Sequence, residues 1–205
     1  MDKKIVTSWD DGSFYDLRLS DLLLKYKIPA IFYIPTFWTQ RDLRDEDIVE
    51  LKQKGFEIGG HTVTHPIDMK TLTYDQQLRE IAKNKIWLEE LIGEQIKSFA
   101  YPRGRYDETT ILAVKEVGFE NARTTAIGNF VLPDDPYRIR TTVHVYPETP
   151  KYNKPDWLKE AYRLFQYGDY FHLWGHSWEI EKFKLWDQLE SFLKHIYENV
   201  YSQSQ

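Results

Sequence analysis

The chain has 205 residues, of which 41% are hydrophobic and 29% are charged, and this balance is typical of one globular domain. Its net charge of −5 gives no electrostatic reason to expect nucleic acid or an anionic membrane surface as a partner. The absence of cysteine excludes disulfide bonds, thiolate metal sites and cysteine nucleophiles.

Short apolar runs alternate with helical patterns along the chain. The apolar runs predict strands at Ile5–Trp9, Ala30–Ile34, Phe56–Gly59, Ser98–Tyr101, Phe119–Arg123, Tyr137–Val143 and Tyr170–Trp174. The helical patterns predict helices at Asp16–Tyr26, Glu46–Lys54, Asp75–Ile92, Glu108–Val117, Trp157–Phe165 and Leu185–Val200. We therefore predict a single α/β domain over residues 1–205, with about seven parallel strands in an open or barrel-like sheet.

Polar residues that can do chemistry follow several of these strands. Asp10 and Asp11 follow the first strand, His61 and His65 follow the third, and His176 follows the last. Because active sites of such folds lie at the carboxyl ends of the strands, we expect these side chains to meet there.

The two adjacent aspartates have a simple alternative explanation, in which TSWDDGS only forms a turn and Ser13 with Asp16 caps the next helix. The spacing of His61 and His65 would let one helical turn direct both imidazoles the same way, although Pro66 limits that turn to a short one. Two imidazoles and one carboxylate form a three-ligand metal site that leaves positions open, which is the pattern of catalytic sites.

These two motifs resemble those of the polysaccharide deacetylases of the NodB-homology type, carbohydrate esterase family 4. The family's T-F-D-D-G is matched by residues 8–12, which read SWDDG, and its H-[ST]-x-x-H by residues 61–65, which read HTVTH. The resemblance extends roughly from Ile5 to Glu179. It implies a distorted (β/α) barrel, a divalent metal held by Asp11, His61 and His65, and Asp10 as the general base.

The family's third motif resembles R-x-P-[YF], and the corresponding segment here is Tyr101-Pro102-Arg103 without the leading arginine. Related proteins have a Y-P-x-G-x-Y-D variant, which residues 101–107 match. The oxyanion donor implied by the resemblance is a backbone N–H after Pro102, and we assign it to Arg103.

The missing arginine leaves open which residue positions Asp10. Arg138 or Arg140, near the end of a later strand, could supply that guanidinium, and both could equally be exposed arginines at the edge of a strand. The family's Asp-Trp motif has only one match in letters, at Asp156-Trp157, where aspartate is also expected as a helix cap.

The last family motif, L-x-H, resembles residues 174–176 with Trp174 in place of leucine. The resemblance implies that His176 is the general acid and that Trp174 lines a pocket for the acyl methyl. Glu179 could orient His176 or could simply begin the next helix.

We therefore expect a metal-dependent hydrolase that removes an N-linked acyl group, in the first instance acetyl, from a carbohydrate or sugar conjugate. Imidazole and carboxylate ligands suit zinc first, and cobalt, nickel or manganese as alternatives. Two other readings stay open: a carbohydrate-binding pseudoenzyme, and an Fe(II) oxygenase that uses two histidines and a carboxylate.

The expected partner is an acylated carbohydrate, with no nucleic acid and no membrane insertion, and the oligomeric state is open. The N-terminus lacks the apolar core of a secretory signal, and no stretch approaches the roughly 20 apolar residues of a membrane span. We expect a cytoplasmic location unless a signal peptide precedes this sequence.

Overall fold

A computed structural model describes residues 3–38, 41–147 and 156–202. Their strands are β1 Lys4–Asp10, β2 Ile31–Ile34, β3 Glu57–Gly60, β4 Ser98–Ala100, β5 Asn121–Arg123, β6 Val143–His144 and β7 Tyr170–Gly175. The helices are α1 Asp16–Lys25, α2 Asp45–Gln53, α3 Tyr74–Ile92, α4 Glu108–Glu116, α5 Trp157–Phe165, α6 Ser177–Lys182 and α7 Trp186–Ile196. Short 3₁₀ turns lie at Met69–Thr71 and Pro102–Gly104, and a π turn follows α7 at Tyr197–Tyr201.

All seven described strands are parallel and lie in one sheet in the order β5-β4-β3-β2-β1-β7-β6. Strand β1 is central: Ser8 pairs with Ile31 of β2 on one side and with Trp174 of β7 on the other. The strands are largely buried. The prediction of an α/β fold with about seven parallel strands is confirmed, and the prediction of a single domain over 1–205 stays a prediction.

The chain between Pro136 and Val145 joins the two edges of this sheet. At its start, Pro136 and Ile139 exchange backbone hydrogen bonds with Ala122 of β5. At its end, the backbone N–H of Val145 donates to Trp174 of β7. This segment closes the sheet into a distorted barrel.

The strand predicted at Tyr137–Val143 is therefore mostly wrong, since only Val143–His144 forms a regular strand. A chain that must leave one sheet edge and reach the other cannot pair continuously with either. The remaining strand predictions are correct to within two residues at each end.

The six predicted helices are present, and the Trp157–Phe165 prediction matches α5 at both ends. Helix α6, which begins directly after His176, was not predicted. The predicted capping box is wrong, because Tyr15 occupies the N-cap of α1 and the Asp16 side chain is buried. Within the described ranges, no helix combines the length and hydrophobicity that crossing a bilayer requires.

Candidate active site

The loops after β1, β2, β3, β4, β5 and β7 surround one cavity at the carboxyl ends of the strands. We call it the catalytic pocket; its volume is about 290 Å³ and it is lined by Asp10, Asp11, Trp38, His61, His65, Arg103, Thr125, Trp174, His176 and Trp178. A larger cavity of about 660 Å³ opens at the amino ends of the strands and includes none of Asp11, His61 and His65. The polar residues singled out by sequence therefore meet in the smaller cavity.

Asp11, His61 and His65 form a buried cluster, which we call the candidate triad. The Nε2 atoms of His61 and His65 each lie 3.7 Å from Oδ1 of Asp11. One ligand atom from each residue falls within 4.8 Å of the others. Burial, and in second place the neighbouring His61, lowers the pKa of His65 to about 3, so its imidazole is neutral at physiological pH. Burial also lowers the pKa of His61.

Local backbone turns place the triad. Asp11 has φ of 84°, a left-handed conformation that turns the chain sharply after β1. The HTVTH segment is not the helical turn that its spacing suggested, because Thr62 and His65 have φ of 67° and 51°. The Thr62 hydroxyl accepts a hydrogen bond from the His65 backbone N–H, which stabilises this tight turn.

Asn84 of α3 holds the start of that turn from behind. Its Oδ1 accepts from the His61 backbone N–H at 2.8 Å, and its Nδ2 donates to the Ile34 carbonyl and the Thr36 hydroxyl. Gly60 makes room for this contact, since a Cβ there would lie 3.0 Å from Asn84 Oδ1 and 2.6 Å from the Phe119 ring. The ring of His61 is fixed separately by the contact of its Nδ1 with the Ala100 carbonyl at 2.8 Å.

Two tryptophans complete the surroundings of the triad. Trp178 Nε1 donates to Asp11 Oδ2 at 3.1 Å, and the Trp38 ring stacks on His65 with centroids 4.2 Å apart. Both contacts restrict the orientation of a triad side chain, as outer partners of metal ligands commonly do.

Asp10 has a different environment from its neighbour Asp11. The guanidinium of Arg123, which is fully buried, donates to Asp10 Oδ1. Burial alone would raise the pKa of Asp10, but the charge and hydrogen bond of Arg123, together with His61 and His176, outweigh burial and lower that pKa. Burial raises the pKa of Asp11, so the two aspartates differ in the sign of their shifts.

The structure does not place Arg138 or Arg140 beside Asp10. Arg138 pairs with Asp135 and Glu108, and Arg140 donates to the Ile127 carbonyl. The expectation that one of them supplies the guanidinium is wrong. Arg123 does so because it ends β5, and the carboxyl end of that strand faces the catalytic pocket.

His176 lines the catalytic pocket and contacts two carboxylates. Its Nε2 is 3.5 Å from Asp11 Oδ2, and its Nδ1 is 2.6 Å from Glu179 Oε2. Burial alone would lower the pKa of His176, but these carboxylates raise it to about 9. Glu179 also contacts His144 Nε2 at 3.2 Å, so one buried carboxylate is shared by two imidazoles. The reading of Glu179 as an orienting residue agrees with this geometry.

The Tyr-Pro-Arg segment contributes to the pocket unequally. Arg103 lines it, whereas the Tyr101 ring is buried against Tyr106 and its hydroxyl donates to the Tyr137 carbonyl. Arg103 has φ of 56°, and a Cβ on Gly104 would lie 2.0 Å from the hydroxyl of Thr125. The Y-P-x-G pattern therefore lets Thr125 pack closely on the turn that presents the Arg103 backbone.

Trp174 lines the pocket as the sequence suggested, and its side chain is nearly buried. Asp156, in contrast, caps α5 by accepting from the backbone N–H groups of Leu158 and Lys159. The Asp156-Trp157 pair therefore does not enter the catalytic pocket.

Sequence reasoning missed Arg123, Asn84 and His144. Arg123 carried a usable signal, because it is the last residue of a correctly predicted strand and so lies at the active edge. The other two carried none, since an asparagine in a helix and a histidine in a short strand are ordinary core residues.

Comparison with known proteins agrees with this geometry. A sequence model of the family described as polysaccharide deacetylase matches residues 1–122. A peptidoglycan-N-acetylglucosamine deacetylase of Bacillus cereus is 29% identical over 122 residues, which cover 58% of this chain and 55% of that protein. The chain spans between 33% and 55% of the length of the curated relatives it matches.

Solved structures show the same fold. The deacetylase PplD of Streptococcus pyogenes, in complex with acetate, is 26% identical with a TM-score of 0.60, over 66% of this chain and 62% of that chain. The Xyl-CE4 domain of a multidomain xylanase from the hindgut metagenome of Trinervitermes trinervoides is 15% identical with a TM-score of 0.71, over 98% of this chain and 86% of that chain. The chain therefore belongs to the polysaccharide deacetylase family, with the NodB-type barrel of carbohydrate esterase family 4.

Proposed function

We propose that this protein is a metal-dependent hydrolase that removes an N-linked acyl group, acetyl in the simplest case, from a carbohydrate or sugar conjugate. The observation that carries the proposal is the arrangement of one pocket. A buried triad of metal-ligand type lies between a carboxylate held by arginine and an imidazole held by glutamate. Family membership and the acetate bound to the related PplD point to the same chemistry.

The candidate triad fits a divalent metal. Asp11 Oδ1 is buried without a hydrogen-bond partner among the described residues, and both imidazole Nε2 atoms face it. His61 Nδ1–H donates a hydrogen bond to the Ala100 carbonyl, which leaves the Nε2 lone pair available to a metal. Two imidazoles and a carboxylate suit zinc, with cobalt, nickel and manganese as alternatives. When bound, such an ion supplies Lewis acidity, which polarises a carbonyl and acidifies water.

Asp10 acts as the general base. Arg123 keeps the Asp10 carboxylate ionised and fixes one of its oxygens, so the other is free to take a proton from the attacking water. A positioned base of this kind contributes about 10²–10⁴-fold to a rate. The adjacent carboxylates thus have different roles: Asp11, which faces the imidazoles, is a metal ligand, and Asp10, which faces the guanidinium, is the base.

His176 supplies the proton that the departing amine needs. Glu179 holds Nδ1 of the ring, which directs Nε2 into the catalytic pocket. Burial lowers the pKa of His176, but the Asp11 and Glu179 carboxylates outweigh it, and the Glu179 contact favours the protonated ring. A protonated imidazole is the form required of a general acid.

The backbone N–H of Arg103 is the donor that we assign to the oxyanion. The residue follows Pro102 in a tight 3₁₀ turn and lines the catalytic pocket. A backbone donor held in a rigid turn stabilises developing negative charge without reorganisation.

The test is hydrolysis of an N-acetylated glucosamine oligomer by protein loaded with zinc or cobalt, followed by both released acetate and new amine. Asp10→Asn and His176→Asn should each lower kcat by at least 10²-fold, since each removes a proton-transfer group. Asp187→Asn and His195→Asn, which change the same residue types on α7, should leave kcat within about twofold.

Binding of the oligomer without any acetate or amine, in metal-loaded protein, would overturn the proposal in favour of a pseudoenzyme. Turnover that requires Fe(II) and oxygen would overturn it in favour of an oxygenase.

A further inference from the structure

A second group of metal-ligand type lies beside the candidate triad and shares no residue with it. One ligand atom each of His144, His176 and Glu179 falls within 4.8 Å of the others. We call these three residues the second cluster. Within the described ranges, the candidate triad and the second cluster are the two groups with such spacing. Two imidazoles and one carboxylate are a donor set that binds zinc and leaves a coordination position open.

The donor atoms of the second cluster converge on one oxygen. Glu179 Oε2 lies 2.6 Å from His176 Nδ1 and 3.2 Å from His144 Nε2. With bonds of about 2.0–2.2 Å to a tetrahedral zinc ion, neighbouring donor atoms are about 3.4 Å apart. The atoms of His144 and Glu179 already have nearly that spacing, and His176 Nδ1 would have to move by less than about 1 Å. Small side-chain rotations would therefore complete the geometry of a zinc site.

The backbone holds the three ligands in place. His144 lies in β6, pairs with Trp174 of β7 and stacks its ring on that tryptophan, with centroids 4.0 Å apart. His176 is the N-cap of α6, and Glu179 lies three residues later, where its backbone N–H donates to the His176 carbonyl. Because two regular elements already fix the ligands, little conformational entropy would be lost when an ion binds.

The second cluster is accessible to an ion. The side chains of His144, His176 and Glu179 are 12%, 18% and 9% exposed. His176 lines the catalytic pocket, and His144 lines a cavity of about 380 Å³ that shares Trp174 with that pocket. The cluster therefore combines ligands of suitable type, spacing and burial with a path of entry, which are the features that a metal site requires.

The candidate triad should bind an ion more tightly than the second cluster. Asp11 Oδ1 has no hydrogen-bond partner in the described structure, so an ion at the triad displaces no hydrogen bond of that atom. Glu179 Oε2 already contacts both imidazoles, and an ion must replace the proton that it shares with His176 Nδ1. Because these contacts must be broken first, the second cluster should bind zinc more weakly.

An ion bound at the second cluster would stop His176 from acting as the general acid. A protonated imidazole that gives up its Nε2 proton becomes a neutral ring. A ring whose Nδ1 is bound to an ion would instead become an imidazolate, which is a far less favourable product. The departing amine would then lack its proton donor.

We propose that His144, His176 and Glu179 form a second, weaker zinc site, and that the enzyme is inhibited when this site is occupied. The metal binding is inferred from the geometry of the second cluster alone. The inhibition rests on the proposed function, in which His176 is the acid. Zinc in excess of the amount that the candidate triad needs would therefore lower the activity of the enzyme.

Zinc titration of the chelator-treated chain by isothermal titration calorimetry tests the site. Wild type should bind two equivalents, the second at least about tenfold more weakly, and dialysis against metal-free buffer should leave one. His144→Gln and Glu179→Gln, which each remove one ligand of the second cluster, should bind only the tight equivalent. His61→Ala should lose the tight equivalent and keep the weak one. His195→Gln, on α7, is the control and should bind two.

The inhibition is tested by amine release from an N-acetylated glucosamine oligomer at increasing zinc concentration. The rate of each protein is divided by its own rate at one equivalent of zinc, so that a change in basal activity does not enter. Wild type and His195→Gln should slow by at least about tenfold when the weak site is saturated. His144→Gln should stay within about twofold over the same range.

A single equivalent in wild type, with no weaker binding, would overturn the second site and leave the proposed function standing. A weak equivalent that persists in whichever of His144→Gln and Glu179→Gln is folded would overturn its assignment to these residues. Saturation of the weak site without loss of rate would overturn the inhibition. Two equivalents without turnover at any zinc concentration would support the second site and overturn the proposed function.

Discussion

At the scale of single residues, the adjacent carboxylates of Asp10 and Asp11 differ in pKa because they have different surroundings, although the two side chains are chemically identical. Arg123 lowers the pKa of Asp10 against the effect of burial, whereas burial raises the pKa of Asp11 between two neutral imidazoles. Two acidic groups with opposite shifts in one pocket are a common sign of distinct roles. The sequence motif identifies the pair, but only the fold identifies Arg123, which is 113 residues away from Asp10.

Substitution of Arg123 tests that assignment. Arg123→Gln should raise the pKa of Asp10 and release its carboxylate from a fixed orientation, so kcat should fall about 10²-fold. The acidic limb of the pH–rate profile should also move to higher pH. Arg138→Gln is the matched control, because the ion pairs of Arg138 within the described ranges are with Glu108 and Asp135, away from Asp10, and it should retain wild-type kcat. Loss of activity in Arg138→Gln but not in Arg123→Gln would favour the expectation from the sequence, in which Arg138 positions Asp10.

Glu179 offers a second test at this scale. Glu179→Gln retains a group that can accept a hydrogen bond but removes the charge that helps to raise the pKa of His176 to about 9. Since His176 acts in its protonated form, the alkaline limb of the kcat profile should shift to lower pH by on the order of one unit. A uniform loss of activity with an unmoved limb would show that Glu179 only supports the fold.

At the scale of elements, the strands bring the site together and α3 holds it in place. The period of the apolar residues predicts the helices well, because each helix buries one face against the sheet. It fails for Tyr137–Val143, because that segment must join the sheet's two edges, a constraint that no local pattern contains. The prediction of a helical turn at HTVTH is wrong for a similar reason. The shape of that segment depends on the hydrogen bond between His61 and Asn84, which are 23 residues apart in the sequence.

The role of Asn84 is measurable. Asn84→Ala would leave the His61 N–H, the Ile34 carbonyl and the Thr36 hydroxyl without their buried partner. We expect the free energy of unfolding to fall by about 2–4 kcal/mol in urea denaturation, with weaker metal binding because His61 is no longer held. Lys83→Ala, the exposed neighbour on the same helix, should change it by less than ~0.5 kcal/mol. Equal stability of the two variants would contradict this role.

At the scale of the whole molecule, the barrel carries a buried carboxyl group that the reaction does not use. Asp16 of α1 is fully buried behind Asp11 with the Ser177 hydroxyl beside it, and neither carboxyl oxygen has a hydrogen bond of normal geometry among the described residues. Burial raises the pKa of Asp16 to about 8. The folded protein therefore keeps a proton that the unfolded chain releases above its ordinary pKa of 3.8.

This linkage predicts how stability depends on pH. The contribution of Asp16 is fully present below its unfolded pKa and is lost as pH rises toward about 8. Asp16→Asn should therefore be more stable than wild type by on the order of a few kcal/mol at pH 7, with a smaller gain at pH 5. Thermal midpoints at pH 5, 7 and 9 would show it, with Asp187→Asn as an exposed control. A gain that does not grow between pH 5 and 7 would contradict the assignment.

The central claim is that Asp11, His61 and His65 hold one divalent metal at the catalytic centre. The most direct measurement is the metal content of gently purified protein, before and after zinc is added, for wild type, Asp11→Ala, His61→Ala and the control His195→Ala. We predict about one equivalent in wild type and in His195→Ala, and loss of it in both triad variants. Folded wild-type protein that binds no metal, even after zinc is added, would contradict the claim. Asp10 and Asp11 would then have only a structural role in the turn after β1.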